Sequence, residues 1–304
     1  MSGRQWRQLG KGLAFVSPWL AGFCLFMALP IGMSLYYSLC DYSLLKGPLF
    51  VGLENYAELI WRRDPLGRVG DPVFYQSLWN TMRYAAMALP AGMLVSLGLA
   101  LLLNAGIGGQ SIYRTIIFLP SLVPVVASAM LWMWLFRADP KQGLINGVLE
   151  MLGVTGPSWL ADKTWAMPSL ALMSLWGVGH TVVIYLAGLQ DVPRELYEAA
   201  EIDGAGLWRR LWHVTIPMIS PVIFFNLVMG IIGTLQVFAV PYIMTGGGPE
   251  RTTYFFTMYL YDNAFNYLKM GHASAMAWIQ LVLILLLTGA AFWSSRRWVH
   301  YQGK

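Results

Sequence analysis

The sequence predicts an all-α, polytopic membrane protein with six transmembrane helices. Of its 304 residues, 57% are hydrophobic and only 12% are charged, whereas soluble domains usually carry about a quarter charged residues. The mean hydropathy is +0.54. The apolar residues also cluster into six stretches, each meeting the ~20 residues a helix needs to cross a ~30 Å hydrocarbon core.

The six expected spans are 13–39, 79–105, 112–137, 165–189, 217–243 and 272–295, within one transmembrane domain covering 1–304. The first follows Arg4, Arg7 and Lys11 and resembles a signal peptide. It runs on for over 25 residues with no clear small-x-small cleavage site, so a retained span is expected. Pro30, Pro90, Pro120, Pro124, Pro221 and Pro241 fall inside spans, where neighbouring helices can re-satisfy the freed carbonyls. Cys24 and Cys40 are sixteen residues apart, roughly 24 Å along one helix. They are read as ordinary apolar residues. Outside the spans, Phe50–Trp61 and Leu144–Leu152 read as short amphipathic helices, and Thr245–Pro249 as a turn.

Six spans place both termini on one side. That side carries Arg4, Arg7, Lys11, Arg114, Arg194, Arg209, Arg210, Arg296, Arg297 and Lys304, ten bases against five acids. The other side has nine bases and ten acids in more residues. The denser basic side is expected to be cytoplasmic. The net charge of +5 is thus read as membrane orientation and contact with lipid, not as a nucleic-acid surface.

Apart from Arg114 and Arg137 at the two ends of the third span, the only charged residue within the spans is Arg83, near an end where its side chain can reach the interface. No Asp or Glu lies in any span, which counts against an ion-coupled secondary transporter of a small polar solute, the competing class. No phosphate-binding G-x-x-x-x-G-K-[ST] loop occurs, and His180, His213, His272 and His300 show no metal-ligand spacing. No Ser/His/Asp arrangement has local support. No catalytic residue, metal or cofactor site is therefore expected, and energy for uphill transport must come from another chain.

The loop 190–216 is the exception to this apolar pattern. It reads as a helix from Glu195 to Glu201, a break at Gly204 and Gly206, and a second amphipathic run, Leu207–Thr215, ending at Pro217. Leu207, Leu211 and Val214 form its apolar stripe, with Arg209 and Arg210 facing away. An ordinary interfacial amphipathic helix is the plain alternative. For the two arginines, inside-positive anchoring is an equal alternative to contact with a partner.

Glu198-Ala199-Ala200, then Asp203-Gly204-Ala205, then Ile216-Pro217, resembles the EAA loop of binding-protein-dependent ABC importer permeases. Phe50–Tyr56 (FVGLENY), Asn80-Thr81 and Thr245–Pro249 (TGGGP) resemble the carbohydrate branch, of the maltose and glycerol-phosphate type. The likeness covers essentially the whole chain from about residue 12. Leu211 and Val214 stand where that family often has Phe and Ile.

The resemblance implies the type I ABC importer permease fold in a bacterial cytoplasmic membrane. It implies import of a sugar, oligosaccharide or polyol. The implied partners are a second related permease, two ABC ATPase subunits that hold ATP and Mg, and an extracytoplasmic solute-binding protein. Glu198, Ala199, Ala200, Asp203, Gly204, Ala205, Arg209, Arg210 and Pro217 would couple to the ATPases. In the maltose-type relatives the substrate lies among the last three spans. Here Asn226, Gly230 and Thr234 share a face of the fifth span at i, i+4 and i+8, with Gly233 and Val237 beside them and Gln236 on a neighbouring face. Met173, Gly177 and His180 or Thr181 are placed similarly on the fourth, with Trp176 adjacent. Helix-packing glycines with satisfied polar neighbours are the alternative for both groups.

Overall fold

A computed structural model describes residues 3–63, 69–105 and 108–300. Lys304, counted above among the basic residues, lies outside them, as do the side chains of Arg4 and Arg7. The described residues form two compact units, Met1–Pro72 with Leu260–Leu281 and Val73–Tyr259 with Val282–Lys304.

In the first unit, helix α1 (Gly3–Phe23) passes through a π turn, Cys24–Ala28, into α2 (Leu29–Ser38). The turn precedes Pro30, and the Leu29 N–H reaches back to the Cys24 carbonyl. Proline has no N–H, and its ring clashes with the carbonyl four residues back. Widening the preceding turn by one residue lets the helix continue through it. An antiparallel hairpin follows, β1 (Cys40–Ser43) with β2 (Lys46–Phe50), Cys40 facing Phe50. The expectation of an all-α chain misses this ribbon, and Cys40 starts a strand instead of ending a helix. The buried Asn55 side chain donates to the carbonyls of Ser38 (2.8 Å) and Cys40 (2.9 Å), which fixes the hairpin's entry. Asn55 belongs to α3 (Glu54–Ile60), the short helix expected there.

The second unit contains most of α4 (Pro72–Asn104), the second span with seven further residues at its start. The third span is not one straight helix. α5 (Gln110–Phe118) and a 3-10 turn (Leu119–Leu122) meet α6 (Val125–Leu135) at 99°. Val123 is extended (φ −72°, ψ 129°) because Pro124 follows it. The fourth span is bent by 51° between α8 (Ala166–Trp176) and α9 (Gly179–Gln190), with α7 (Leu144–Met151) in the preceding loop as expected. The loop helix α10 (Arg194–Ile202) leads to α11 (Leu207–Arg210), a π turn (Leu211–Thr215) and α12 (Ile216–Met218). The expected stop at Pro217 does not occur. The Ile216 N–H bonds to the Leu211 carbonyl, and the helix runs through the proline as it does at Pro30. The fifth span comprises α13 (Ser220–Leu235) and α14 (Ala239–Met244). After α15 (Phe256–Tyr261), α16 (Met270–Ser295) is the sixth. Four described helices are long and apolar enough to cross a membrane, or up to six if each bent pair is one span.

Two buried clusters hold the second unit. One gathers Tyr84, Ala88, Ala129, Met167, Leu170 and Phe255. The other gathers Ala100, Leu103, Val182, Tyr185, Leu189 and Ile219, with Tyr197 and Val214 of the loop packed against it. Asn80 and Thr81 pin a distant loop. Asn80 donates to the carbonyls of Arg251 (2.7 Å) and Tyr254 (3.1 Å), and Thr81 accepts the Phe256 N–H (2.9 Å). That loop contains the expected Thr245–Pro249 turn. Gly246 and Gly247 take positive φ there, and so do Glu250 and Arg251, which the sequence does not signal.

Candidate functional site

The loop 190–216 owes its shape to one glycine. Gly204 has φ +72°, a conformation available to it at no steric cost. It lets the Gly204 N–H bond to the Glu201 carbonyl (3.0 Å) and the Ala205 N–H to the Ala200 carbonyl (2.8 Å). These bonds satisfy carbonyls that the end of α10 leaves orphaned. Asp203, Gly204 and Ala205 are thus a helix stop and a reversal. Glu198, Ala199, Asp203, Gly204 and Arg209 are exposed, and Ala200, Ala205 and Pro217 are half-buried.

Arg210 does not face away with Arg209. It is half-buried and pairs with Glu201 across the turn. The stripe is divided too: Leu211 and Val214 are half-buried, but Leu207 is 78% exposed. Ile202 (87%) and Trp208 (74%) stand open beside it, forming an apolar tip that sequence reasoning missed. Its signal was available: three large apolar residues flank a glycine turn in a loop too short to bury them.

The second site is a cavity of about 270 Å³ between α4, α8, α9 and α13. Asn226, Gly230 and Thr234 line it together, as their spacing on the fifth span predicts. Thr181 joins them from α9, with Tyr84 from α4 and Ser174 from α8. No charged side chain lines it. The Asn226 amide donates to the Val222 carbonyl (3.0 Å), and the Thr234 hydroxyl to the Gly230 carbonyl (2.7 Å). The buried Tyr185 hydroxyl of α9 has no hydrogen bond of ordinary geometry and interacts with Asn226. Gly230 has a packing role as well, since a β-carbon there would lie 2.2 Å from Leu89 Cδ1.

Several expected residues are not in this cavity. His180 turns its ring to Phe118, with centroids 5.0 Å apart. Gly177 is the exposed cap of α8, at the bend in the fourth span. Gly233 and Gln236 are exposed on another face of α13. Met173 belongs to the buried core. Tyr84 and Ser174 were missed because periodicity along one helix does not say which helix it meets. No group of three or more His, Cys, Asp or Glu among the described residues is placed to hold a metal ion.

Apolar helices of spanning length, a capped helical reversal with an apolar tip, and an uncharged cavity between helices define a multi-pass membrane transport subunit. The chain belongs to the family of binding-protein-dependent transport system inner membrane components, whose sequence model matches residues 88–300. It is therefore a permease of an ABC importer. It is 39% identical over 297 residues to a probable ABC transporter permease protein, YesP, of Bacillus subtilis (strain 168), covering 96% of this chain and 93% of that one. It is 34% identical to the lactose transport system permease protein LacF of Rhizobium radiobacter, covering 94% of each. A bacterial ABC transporter involved in the import of the acidic polysaccharide alginate shares the fold, with a TM-score of 0.80 and 23% identity over 97% of this chain and 99% of that one.

Proposed function

We propose that this permease forms half of a translocation pathway for a sugar, oligosaccharide or polyol, and that its loop 190–216 receives the stroke of two ABC ATPases. The observation that carries the substrate class is the cavity lined by Asn226, Thr234, Thr181, Ser174 and Tyr84. Hydroxyl and amide groups match the hydroxyls of a sugar, and glycine leaves room for it. Its volume lies just under the ~300–1,000 Å³ of ligand clefts, in keeping with a pathway completed by a second, related permease. The naming of a relative for lactose transport supports the same class.

On this reading both termini and the loop are cytoplasmic, and an extracytoplasmic binding protein delivers the substrate. ATP and Mg are held by the ATPases, and hydrolysis takes place there, not in this chain. Glu198 and Asp203 are exposed acids for a basic cleft on the ATPase, and Ala199 and Ala200 allow close approach. Ile202, Leu207 and Trp208 supply the apolar contact. Closure of the ATPases shifts the spans between inward- and outward-facing states, and only contacts that differ between those states drive the shift.

The test is copurification followed by transport. The chain should leave detergent with a second permease and an ATPase pair, and Glu198→Arg should assemble but lose sugar uptake. A Glu198→Arg complex transporting at the wild-type rate removes the docking role. Thermal-shift screening of the binding protein against sugars and polyols identifies the substrate.

A further inference from the structure

We infer that Glu201 and Arg210 are positioning residues that brace the loop from within, and that Arg210 is not a docking contact. The inference rests on the reading that this loop meets the ATPases. The Arg210 guanidinium forms an ion pair with the Glu201 carboxylate, nine residues earlier across the Gly204 reversal. Its side chain keeps 21% exposure, and its Nε is buried with no partner of its own. A side chain turned inward like this has little surface left for another protein, whereas the neighbouring Arg209 is exposed.

A second tie lies nearer the membrane. The Tyr197 and Thr215 hydroxyls are 3.0 Å apart, and the Thr215 hydroxyl is 3.3 Å from the Arg210 carbonyl. Thr215 is buried, and Tyr197 and Val214 pack on the cluster that includes Val182 and Tyr185 of the fourth span. The two ties close a ring around the reversal, one at its root and one towards its tip. Backbone bonds from Gly204 and Ala205 cap the preceding helix here, but no side chain packs on the glycines themselves: a β-carbon at Gly204 or Gly206 would meet nothing within 4 Å. Two glycines in open space make a hinge. A hinge absorbs displacement, and a braced loop passes it to the spans.

The guanidinium suits this duty, because its planar fork holds a carboxylate in a fixed orientation. The Glu201 side chain is 59% exposed, so salt should screen the pair and loosen the brace.

The experiment compares wild type, Glu201→Arg, Arg210→Glu and the double exchange in the assembled transporter. It reads uptake per ATP hydrolysed and amide hydrogen exchange over residues 199–206. Each single variant should still assemble with the ATPases, lose at least fivefold in uptake per ATP, and exchange at least fivefold faster. The double exchange should return both within twofold of wild type. Arg210→Met, which keeps the buried stem without a new charge, should show the same faster exchange. Single variants exchanging at the wild-type rate overturn the brace. A double exchange as impaired as Arg210→Glu alone also overturns it, because Arg210 would then meet a partner directly. Faster exchange that is rescued in the double, with uptake unchanged throughout, upholds the brace and overturns the docking role of the loop.

Discussion

Two glycines two residues apart on the fourth span, Gly177 and Gly179, behave in opposite ways. A β-carbon at Gly179 would lie 2.8 Å from the Ile117 carbonyl oxygen and 2.9 Å from Phe118 Cα, both backbone atoms that cannot swing aside. At Gly177 the nearest atom is 3.9 Å away. Gly179→Ala should therefore destabilise the protein by about 1–3 kcal/mol. Gly177→Ala should stay within about 0.5 kcal/mol. Thermal unfolding in detergent checks both. In the cavity, Asn226→Leu removes a polar contact and should raise the KM for sugar roughly tenfold, the equivalent of about 1.4 kcal/mol. The spacing of Asn226, Gly230 and Thr234 was legible because one helix face repeats in sequence. Thr181 was legible only as an alternative to His180, since the choice depends on which side of α9 meets α13 and which meets Phe118. Outside the spans, Asp162 Oδ1 accepts the Thr164 N–H (2.7 Å), which with lesser contacts holds its carboxyl below the usual aspartate range. A depressed pKa contributes stability that is present above the ordinary aspartate value and lost as pH falls through the lowered one. Acidification through the lowered pKa should therefore reduce the protection of the Thr164 and Trp165 amides, read as exchange relative to the intrinsic rate at each pH, and Asp162→Asn should lose that pH dependence.

Prolines do not act alike on these elements: Pro18 and Pro90 lie inside α1 and α4 with no π turn before them. A π turn precedes Pro30 and Pro217, and the helix continues through both. No such turn precedes Pro124, and the span folds by 99°. Composition marked six apolar stretches, of which four are spanning helices and two are bent pairs, but not the bends, because an apolar window measures hydrophobicity and not direction. The hairpin was illegible for a related reason: Cys40–Phe50 follows a long apolar run and shows no clear two-residue alternation. The loop reversal was legible, since a glycine after a short amphipathic helix is a stop signal with a stated mechanism. Its cost is conformational alone. Gly204→Ala meets no atom within 4 Å and should destabilise the loop by about 1 kcal/mol. The same substitution at Gly206, where φ is −68°, should be tolerated. Amide exchange across Glu201–Ala205 separates the two. At the tip, Ile202→Asp should weaken ATPase binding roughly thirtyfold, the equivalent of about 2 kcal/mol for a well-packed interface residue. Copurification yield at matched concentration reads that loss.

At the scale of the molecule, the surfaces left open are as informative as the core. Nearly all of the first span is exposed, and so is the apolar tip of the loop. The sequence announced a permease subunit through the Glu198–Pro217 loop, whose residues resemble the EAA loop. It could not place the cavity walls, which need three-dimensional contacts between α4, α8, α9 and α13. The expected topology sets sides that labelling can check. A single cysteine at Leu207 should react with a membrane-impermeant reagent only from the ATPase side, and one at Leu45 only from the other. The most direct measurement is sugar uptake into proteoliposomes containing the full transporter, with the binding protein outside and ATP inside. Uptake should require both, survive an ionophore that collapses ion gradients, and fall at least tenfold in Glu198→Arg. Uptake that proceeds without ATP and disappears with the ionophore would contradict the account.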